Sequence, residues 1–319
     1  MTPANPPSDA VGRFEADLRA LLPEADRIGL AVSGGPDSLA LLLLAAAARP
    51  GRVAAATVDH GLRPEAAAEA DFVASTCSEL GVPHAILRAS VKPAASVQAQ
   101  ARSARYEALA GWAAVEGIAA VLTAHHQDDQ AETLMMRLAR GAGVGGLAGI
   151  RAASEIAGLV VCRPLLGWRR ETLRALVASA GLRPVADPSN EDERYDRVRM
   201  RRNLAESSWL DSAALARSAA ALAEAEQALD WAADRLAGER VREEGEGLRL
   251  DPSGLPPELL RRLVLLCLCR IDPEAAPRGE QVTALLGTLH AGGTATLGRI
   301  LCSGGAQFRF ASALPRRRG

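Results

Sequence analysis

The chain has 319 residues, of which 48% are hydrophobic and 24% charged, and its formal net charge is −1. It is too apolar for a disordered chain and long enough for one large domain and a smaller one. A nearly neutral total excludes a uniformly basic nucleic-acid binder, so any contact with nucleic acid must come from local basic patches.

The cysteines and the apolar segments predict a cytoplasmic protein. The five cysteines form no C-x-x-C pair, which is typical of a reducing compartment. Cys267 and Cys269 lie in an apolar run, where we predict buried core thiols rather than a metal site. The N-terminal MTPANPPSDA lacks the basic and apolar regions of a signal peptide, and the apolar stretch 39–48 is too short to cross a bilayer. We therefore expect no membrane association.

Short apolar runs alternate with helical patterns over the first part of the chain. The predicted strands are residues 27–32, 53–58, 84–88 and 118–124, and the predicted helices are residues 11–22, 39–48, 64–80, 97–116 and a segment from about 128. This alternation predicts an α/β fold with a parallel sheet covered on both faces. In such sheets, ligands bind beyond the carboxyl ends of the strands.

The rest of the chain predicts a loop, further helices and a small second domain. The stretch 141–149 is predicted as a flexible glycine-rich loop, followed by an extended segment at VVCRPLL and a helix over 168–180. Alanine-rich helical sequence then runs from about 204 to 243. The predicted domains are an α/β domain over 1–205, a helical connector over 206–243 and a small C-terminal α+β domain over 244–319.

A glycine-rich loop follows the first predicted strand, and it consists of Ser33, Gly34, Gly35, Pro36, Asp37 and Ser38. The two glycines let the backbone approach an anion closely, and the following helix offers N–H groups and the positive end of its dipole. The proline suits a first helical turn, and the serines can add hydroxyl donors. An ordinary turn is the alternative, but these features together predict a phosphate-binding loop.

Asp37 in this loop predicts a bound cation. A carboxylate beside phosphates is repulsive unless a cation lies between them, and Mg²⁺ bound to phosphate oxygens meets that requirement. The loop has neither the Gly-Lys-Ser/Thr of a Walker A sequence nor G-x-G-x-x-G. It resembles instead the PP-loop of the ATP pyrophosphatase superfamily. Members of that superfamily adenylate a substrate and release pyrophosphate, so the resemblance implies ATP and Mg²⁺ as cofactors.

A second polar cluster, HHQDDQAET from His125 onward, lies where the fourth predicted strand meets a helix. Asp129 and Glu132 are three residues apart and share one helix face, where an ammonium group between them would relieve their repulsion. Acids that merely favour a helix N-terminus are the alternative, which we prefer for Asp128. Adjacent histidines in an extended segment point to opposite faces, so a zinc site is the poorer interpretation.

Several motifs occur together over residues 27–202, namely SGGPDS, DHGLR from Asp59, RSARY from Arg102, AHHQDDQAET, RGAGVGGLAG and DPSN from Asp187. In combination they resemble the tRNA(Ile)-lysidine synthetase family. The resemblance implies that ATP adenylates the C2 carbonyl oxygen of the wobble cytidine of a tRNA(Ile) with a CAU anticodon. The amine of free L-lysine then attacks C2 and expels AMP, which gives lysidine.

The resemblance also assigns roles to particular residues. It implies that Asp129 and Glu132 recognise lysine, in agreement with the ammonium argument. It implies catalytic roles for Arg105, near the nucleotide where negative charge grows, and for Asp37 of the ATP-binding loop. It places His60 in the ATP-binding cleft, where a packing role is the alternative.

Five arginines lie close together in the sequence, at Arg194, Arg197, Arg199, Arg201 and Arg202. A solvated basic face is the default interpretation, but this is the densest local positive charge on a neutral protein. We therefore predict phosphate contacts to tRNA. The family usually shows Arg-Asn-x-x-Arg here, and this chain has RVRMR. The C-terminal PRRRG is a weaker candidate, and we expect the C-terminal domain to contact tRNA.

Two other functions remain open from the sequence. One is a different PP-loop enzyme, although a tRNA thiolation enzyme would need a C-x-x-C arrangement and a glutamine-dependent ligase an amidotransferase domain. The other is an inactive RNA-binding protein, against which the acids of the predicted cleft argue. The oligomeric state is left open, a homodimer included.

Overall fold

The structure is a computed structural model that describes residues 3–23, 27–59, 65–89, 97–185 and 194–313. His60, the DPSN motif and the C-terminal PRRRG lie outside the described residues. The chain divides into two compact units, residues 1–223 and 224–319.

The first unit consists of alternating strands and helices. Its strands are β1 (Ile28–Ala31), β2 (Val53–Asp59), β3 (His84–Arg88), β4 (Ala120–Leu122), β5 (Ala153–Ile156) and β6 (Leu159–Cys162). Its helices are α1 (Ser8–Leu21), α2 (Pro36–Ala48), α3 (Glu65–Glu79), α4 (Val97–Glu116), α5 (Gln127–Leu138), α6 (Val144–Leu147), α7 (Arg170–Ser179) and α8 (Asp196–Glu206). Helix α9 (Ser212–Arg240) begins in this unit and ends in the second.

These strands form one sheet in the order β3-β2-β1-β4-β6-β5. Strand β1 pairs in parallel with β2 on one side and with β4 on the other. Strands β2 and β3 therefore lie on one side of β1, and the next strand in the chain, β4, lies on its other side. Such a topological switch point leaves a crevice beyond the carboxyl ends of the two strands. The predicted α/β fold is confirmed. The predicted parallel sheet is found in β1–β4 and β6, and β5, which the sequence does not predict, adds an edge strand that is antiparallel to β6.

The sheet is covered on both faces, as its alternating side chains require. In β2, Val53 and Ala55 belong to the core formed with α1, α2 and α7. Ala54 and Ala56 point to the opposite face and join the core beneath α4. This explains why β2 is apolar at successive positions instead of alternating with polar residues.

Four local predictions need correction. The predicted loop 141–149 contains the short helix α6, and only 160–162 of the predicted extended segment VVCRPLL belong to a strand, β6. The helix predicted from about 204 to 243 is interrupted, because α8 ends at Glu206 and α9 starts at Ser212. Cys267 is buried as predicted, but Cys269 is exposed, because residues two apart on a helix face different directions.

The second unit packs two helices against an antiparallel sheet. Its elements are β7 (Val241–Glu244), β8 (Gly247–Leu250), α10 (Pro257–Ile271), α11 (Gly279–His290), β9 (Thr294–Leu297), β10 (Ile300–Ser303) and β11 (Phe308–Ser312). The sheet order is β7-β8-β11-β10-β9. Phe308 and Phe310 are two residues apart on β11, so both point to the same face of the sheet. They pack in one core with Leu263 and Cys267 of α10. The α+β class predicted for the C-terminal region is confirmed.

No helix in the described part of the chain is long and apolar enough to cross a membrane.

Candidate active site

A cavity of about 400 Å³ opens beyond the carboxyl ends of β1 and β4. It is lined by the loop after β1, the segment after β4, α4 and α8. Asp37, Arg105, Asp129, Arg197 and Arg201 all contribute to its surface. The structure therefore brings together residues from three of the groups that the sequence suggested: the phosphate loop, the acid cluster and the arginine cluster.

The phosphate loop is held in shape by its own serines. The backbone N–H of Ser33 donates to Oγ of Ser38 over 3.1 Å, and this hydroxyl donates to the carbonyl oxygen of Gly35 over 2.9 Å. Gly34 has a φ of +83°, which only glycine adopts without strain, and its carbonyl oxygen accepts from Val185 N. Because α2 begins at Pro36, the N–H groups of its first turn have no partner within the helix. They are available to an anion in the cavity.

Asp37 in this loop contacts His126 from the segment after β4. Nε2 of His126 lies 3.4 Å from Oδ2 of Asp37. Burial acts to raise the pKa of Asp37, but His126 and the positive charges of Arg170 and Arg174 outweigh it, so the pKa lies below its ordinary value. Oδ1 of Asp37 is buried and has no hydrogen-bond partner in the structure. A buried, ionised oxygen of this kind fits a cation ligand.

His125 and His126 differ in their surroundings, as adjacent residues of an extended segment should. The His126 side chain is 1% exposed, and its ring stands among the carboxylates of Asp37, Asp128 and Asp129 at 3.4–3.6 Å. His125 lies at the cavity, with Nδ1 3.0 Å from Oγ1 of Thr123. Burial lowers the pKa of His125 to about 4, so this imidazole is neutral at pH 7.

The acid pair on α5 is bridged by an arginine. Nη2 of Arg197 donates to Oδ1 of Asp129 over 2.9 Å, and its Nε donates to Oε2 of Glu132 over 2.8 Å. An arginine of the chain itself therefore lies between these two carboxylates, where the sequence predicts an ammonium group. Oδ2 of Asp129 accepts from the backbone N–H of His126 over 3.0 Å. Asp129 lines the cavity, and Glu132 does not.

Glu132 holds three arginines from two helices. Its side chain is 1% exposed and accepts from Arg170 over 2.9 Å and from Arg201 over 2.8 Å, besides Arg197. Burial acts to raise the pKa of Glu132, but Arg201, Arg197 and Arg170 lower it to about 2. This carboxylate is ionised at any physiological pH. It joins α5, α7 and α8 at one point.

Asp128 lies in the first turn of α5, and it also contacts α7. Its Oδ2 accepts from the backbone N–H of Arg170 over 2.9 Å, which satisfies a donor at the N-terminus of α7.

The opposite side of the cavity is basic and comes from α4. Arg102 and Arg105 line it together with Tyr106, and the Arg102 guanidinium lies 5.0 Å from the centre of the Tyr106 ring. Burial lowers the pKa of Arg105; Tyr106 opposes the shift and the charge of Arg102 adds to it. Arginine charges at this place can hold a polyphosphate or stabilise a growing oxyanion.

Sequence reasoning missed two arginines of this region. Arg170 has Nε 3.3 Å from Nε2 of His126, and it joins that residue to Glu132. Arg163 is 4% exposed and donates to the carbonyl oxygen of Arg151 and to Oγ of Ser154. Neither belongs to a local motif, so their positions depend on how distant segments pack.

The remaining predicted arginines lie away from the acid pair. Arg199 pairs with Asp196, and Arg202 with Glu206, as exposed pairs within one helix. Arg194 is exposed and precedes α8.

The RGAGVGGLAG loop is fixed to α5 by side-chain amide contacts. Gln130 accepts from the N–H of Ile150 and donates to its carbonyl oxygen over 2.6 and 2.9 Å. Arg137 donates to the carbonyl oxygens of Gly146 and Gly149. These contacts hold the loop against α5, the helix that carries Asp129 and Glu132.

The fold and this cavity define the class of protein. A family model described as a PP-loop domain matches residues 11–208. The U34-tRNA thiolase NcsA from Methanococcus maripaludis, solved with its [4Fe-4S] cluster, superposes with a TM-score of 0.56 at 18% identity. That superposition covers 68% of this chain and 80% of the thiolase, and it shows a shared fold alone. The first unit is therefore an ATP-binding PP-loop domain.

Curated relatives then identify the family. The chain is 51% identical to the tRNA(Ile)-lysidine synthase of Novosphingobium aromaticivorans, over 91% of this chain and 89% of that protein. It is 44% identical to that of Zymomonas mobilis, over 96% and 94% of the two chains. This chain belongs to the tRNA(Ile)-lysidine synthase family, and the resemblance of the motifs is confirmed.

Proposed function

We propose that this protein is a ligase that joins free L-lysine to C2 of the wobble cytidine of a tRNA(Ile) with a CAU anticodon, at the expense of ATP. The observation that carries this proposal is one cavity lined jointly by the phosphate loop, Asp129 and two arginines of α8. Family membership supplies the reaction, and this cavity is where we propose that the reactants bind.

In the first step, the C2 carbonyl oxygen of the cytidine attacks the α-phosphorus of ATP and pyrophosphate leaves. The loop Ser33–Ser38 would hold the phosphates with the N–H groups of α2, and Arg105 would stabilise charge from the α4 side. Mg²⁺ fits the buried, unpartnered Oδ1 of Asp37 together with phosphate oxygens. When bound, it would offset the repulsion between this carboxylate and the phosphates.

In the second step, the lysine amine forms a bond to C2 as the C2–oxygen bond breaks and AMP leaves. The amine must lose a proton before or during this attack. Asp129 is the better candidate for the lysine ammonium, because it lines the cavity while Glu132 is buried under three arginines. Arg197 and Arg201 line the same cavity and suit the carboxylate of a free amino acid. Glu132 then acts on lysine through the arginines that it positions.

The exposed arginines are the better candidates for tRNA phosphates. Surface ion pairs such as Arg199–Asp196 and Arg202–Glu206 contribute little stability, so a phosphate can replace the carboxylate at low cost. Arg197 and Arg201 would have to leave a buried acid to do the same. The predicted tRNA contacts of the C-terminal domain, and a homodimer, remain proposals.

Pyrophosphate release and transfer of labelled lysine test the function. We expect lysine transfer and repeated release of pyrophosphate to require ATP, lysine and tRNA(Ile)(CAU) together, whereas the first step without lysine should give only a single turnover. Repeated release of pyrophosphate with tRNA and lysine both present, but without transfer of labelled lysine, would contradict the lysidine proposal. Transfer to an elongator tRNA(Met) at the same rate would contradict the proposed tRNA specificity.

A further inference from the structure

Trp209 is unusually exposed for a residue of its type. The chain has four tryptophans, and it is poor in aromatic residues, at 3%. Trp168 and Trp112 are buried, with exposed fractions of 1% and 8%, whereas Trp231 and Trp209 are 66% and 82% exposed. The guanidinium of Arg235 lies over the Trp231 ring, 5.7 Å from its centre. A tryptophan can bury 150–250 Å² of mostly apolar surface, so an indole left in solvent forgoes a large stabilisation. Such a residue is available to a partner.

The loop that carries Trp209 is fixed at both ends. Ser207 N donates to the carbonyl oxygen of Leu204 at the end of α8. Asp211 caps α9, because its carboxylate oxygens accept from Ala213 N and Ala214 N over 3.1 Å each. Because both ends of this short loop are fixed, little chain entropy is lost when the indole binds a partner.

This loop is linked by an ion pair to residues that adjoin those of the cavity. Asp211 pairs with Arg169 at 3.6 Å, and the next residue, Arg170, donates to Glu132. Trp209 and Asp211 are two positions apart in the chain, so their Cα atoms are at most about 7 Å apart. The helix that precedes the loop places Arg197 and Arg201 on the cavity surface.

The surroundings of Trp209 favour RNA as the partner. Arg199 and Arg202, whose side chains are 54% and 62% exposed, lie on the preceding helix. A second aromatic residue, Tyr195, is 37% exposed at the other end of that helix. Exposed aromatic rings beside arginines are typical of surfaces that stack on unpaired bases while they contact the backbone.

We propose that Trp209 stacks on an unpaired nucleobase of the substrate tRNA, in the loop that contains the target cytidine. Exposed arginines of α8 contact the phosphates on either side of that base. The proposal rests on the proposed function, because it takes tRNA as the substrate. It assigns to Trp209 the task of holding the anticodon loop at the cavity while the cytidine enters.

Affinity for tRNA(Ile)(CAU) tests the stacking. Loss of one base–aromatic stack weakens binding by about 5- to 150-fold, so we expect this rise in Kd for Trp209→Ala. Trp209→Phe should recover most of the affinity, and Trp209→Leu, which is apolar but has no π-face, should not. Equal affinities for the Phe and Leu variants would overturn stacking.

The salt dependence of the same binding separates stacking from charge. Trp209→Ala should leave the slope of log K against log salt unchanged, because no phosphate contact is lost. Arg202→Gln should reduce that slope by about one phosphate contact. A slope change for Trp209→Ala equal to that of Arg202→Gln would contradict the assigned role of Trp209.

Kinetics and a matched control complete the test. Trp209→Ala should raise the KM for tRNA and leave the KM values for ATP and lysine within about twofold. Val115→Ala, at an 85% exposed apolar residue of α4, is the control and should change none of them. If the wild type makes lysidine and Trp209→Ala binds tRNA normally but alters self-association, Trp209 is a protein contact and this inference fails alone. If the wild type makes no lysidine, the proposed function fails whatever Trp209 does.

Discussion

His126 and Asp37 face each other across the switch point of the sheet, with Nε2 of the imidazole 3.4 Å from Oδ2 of the carboxylate. The loop after β1 and the segment after β4 are thereby joined at the place where the phosphates are proposed to bind. Asp37 is kept ionised and oriented by a residue that does not line the cavity itself.

Replacing His126 should therefore impair the use of ATP. In His126→Ala, Asp37 loses the contact that opposes the effect of burial, so its pKa should rise. We expect the KM for ATP to rise about tenfold, equivalent to about 1.4 kcal/mol, and the acid limb of the pH profile of kcat/KM for ATP to move to higher pH. An acid limb that stays in place in a folded variant would argue against this coupling.

Variants of Asp129 and Asp128 should distinguish a role in lysine binding from a role in helix capping. Asp129→Ala should raise the KM for lysine tenfold or more, roughly the loss of one charged contact, and the KM for ATP far less. Asp128→Asn removes a charge one residue away but keeps an acceptor for Arg170 N, so the ratio of the two KM values should stay near that of the wild type. Steady-state kinetics with each substrate varied in turn gives both ratios. An equal rise in both KM values for Asp129→Ala would refute its assignment to the ammonium.

Glu132 should contribute stability that depends on pH. Its pKa is about 2 in the folded protein against an ordinary 4.5, so the folded state binds the proton more weakly than the unfolded state. The stabilisation is complete above about pH 4.5 and is lost as the pH falls towards 2. Glu132→Gln should lower the free energy of unfolding at pH 7 by roughly 3 kcal/mol, since each pKa unit corresponds to about 1.4 kcal/mol.

Urea unfolding of both proteins over a range of pH measures this difference. The gap between wild type and Glu132→Gln should be constant from about pH 8 to about pH 5 and should shrink at lower pH. A gap that is independent of pH down to about pH 3 would show that the charge of Glu132 is not its source.

Two glycines with similar backbone angles should respond differently to alanine. Gly149 and Gly158 have φ values of +67° and +73°, so both variants carry the same backbone strain, about 1–2 kcal/mol. A Cβ on Gly149 would also collide with Oε1 of Gln130, whereas a Cβ on Gly158 meets nothing within 4 Å. Thermal unfolding should therefore show a larger fall in Tm for Gly149→Ala than for Gly158→Ala. Equal falls would mean that the amide of Gln130 moves aside freely.

Strongly periodic elements could be predicted from the sequence because their apolar spacing is a local property. Residues 84–88 and 97–116 were predicted with the bounds that β3 and α4 have in the structure. Helix α8 was missed, because a helix is detected from an apolar stripe and α8 buries only Leu204. It contacts α5 through ion pairs between Arg197 or Arg201 and acids more than sixty residues earlier in the chain.

For the arginine cluster, the sequence indicates a shared helix face but not the contacts that this face makes. Arg197 and Arg201 are four residues apart and share a helix face, which the sequence could have indicated. Which face that would be, and what it would meet, could not be predicted. The structure separates these two arginines from Arg199 and Arg202, which remain at the surface.

The sequence by itself determined the α/β class, the family and the composition of the phosphate loop, because strand–helix alternation and the motif SGGPDS depend only on neighbouring residues. It also indicated that Asp129 and Glu132 need a cation between them. Only the tertiary structure decided that Arg197 of the same chain contacts both acids and that, of these two acids, Asp129 lines the cavity and Glu132 does not. The reason is that Coulomb interaction and burial depend on distances in space, and these are set by the packing of α5, α7 and α8.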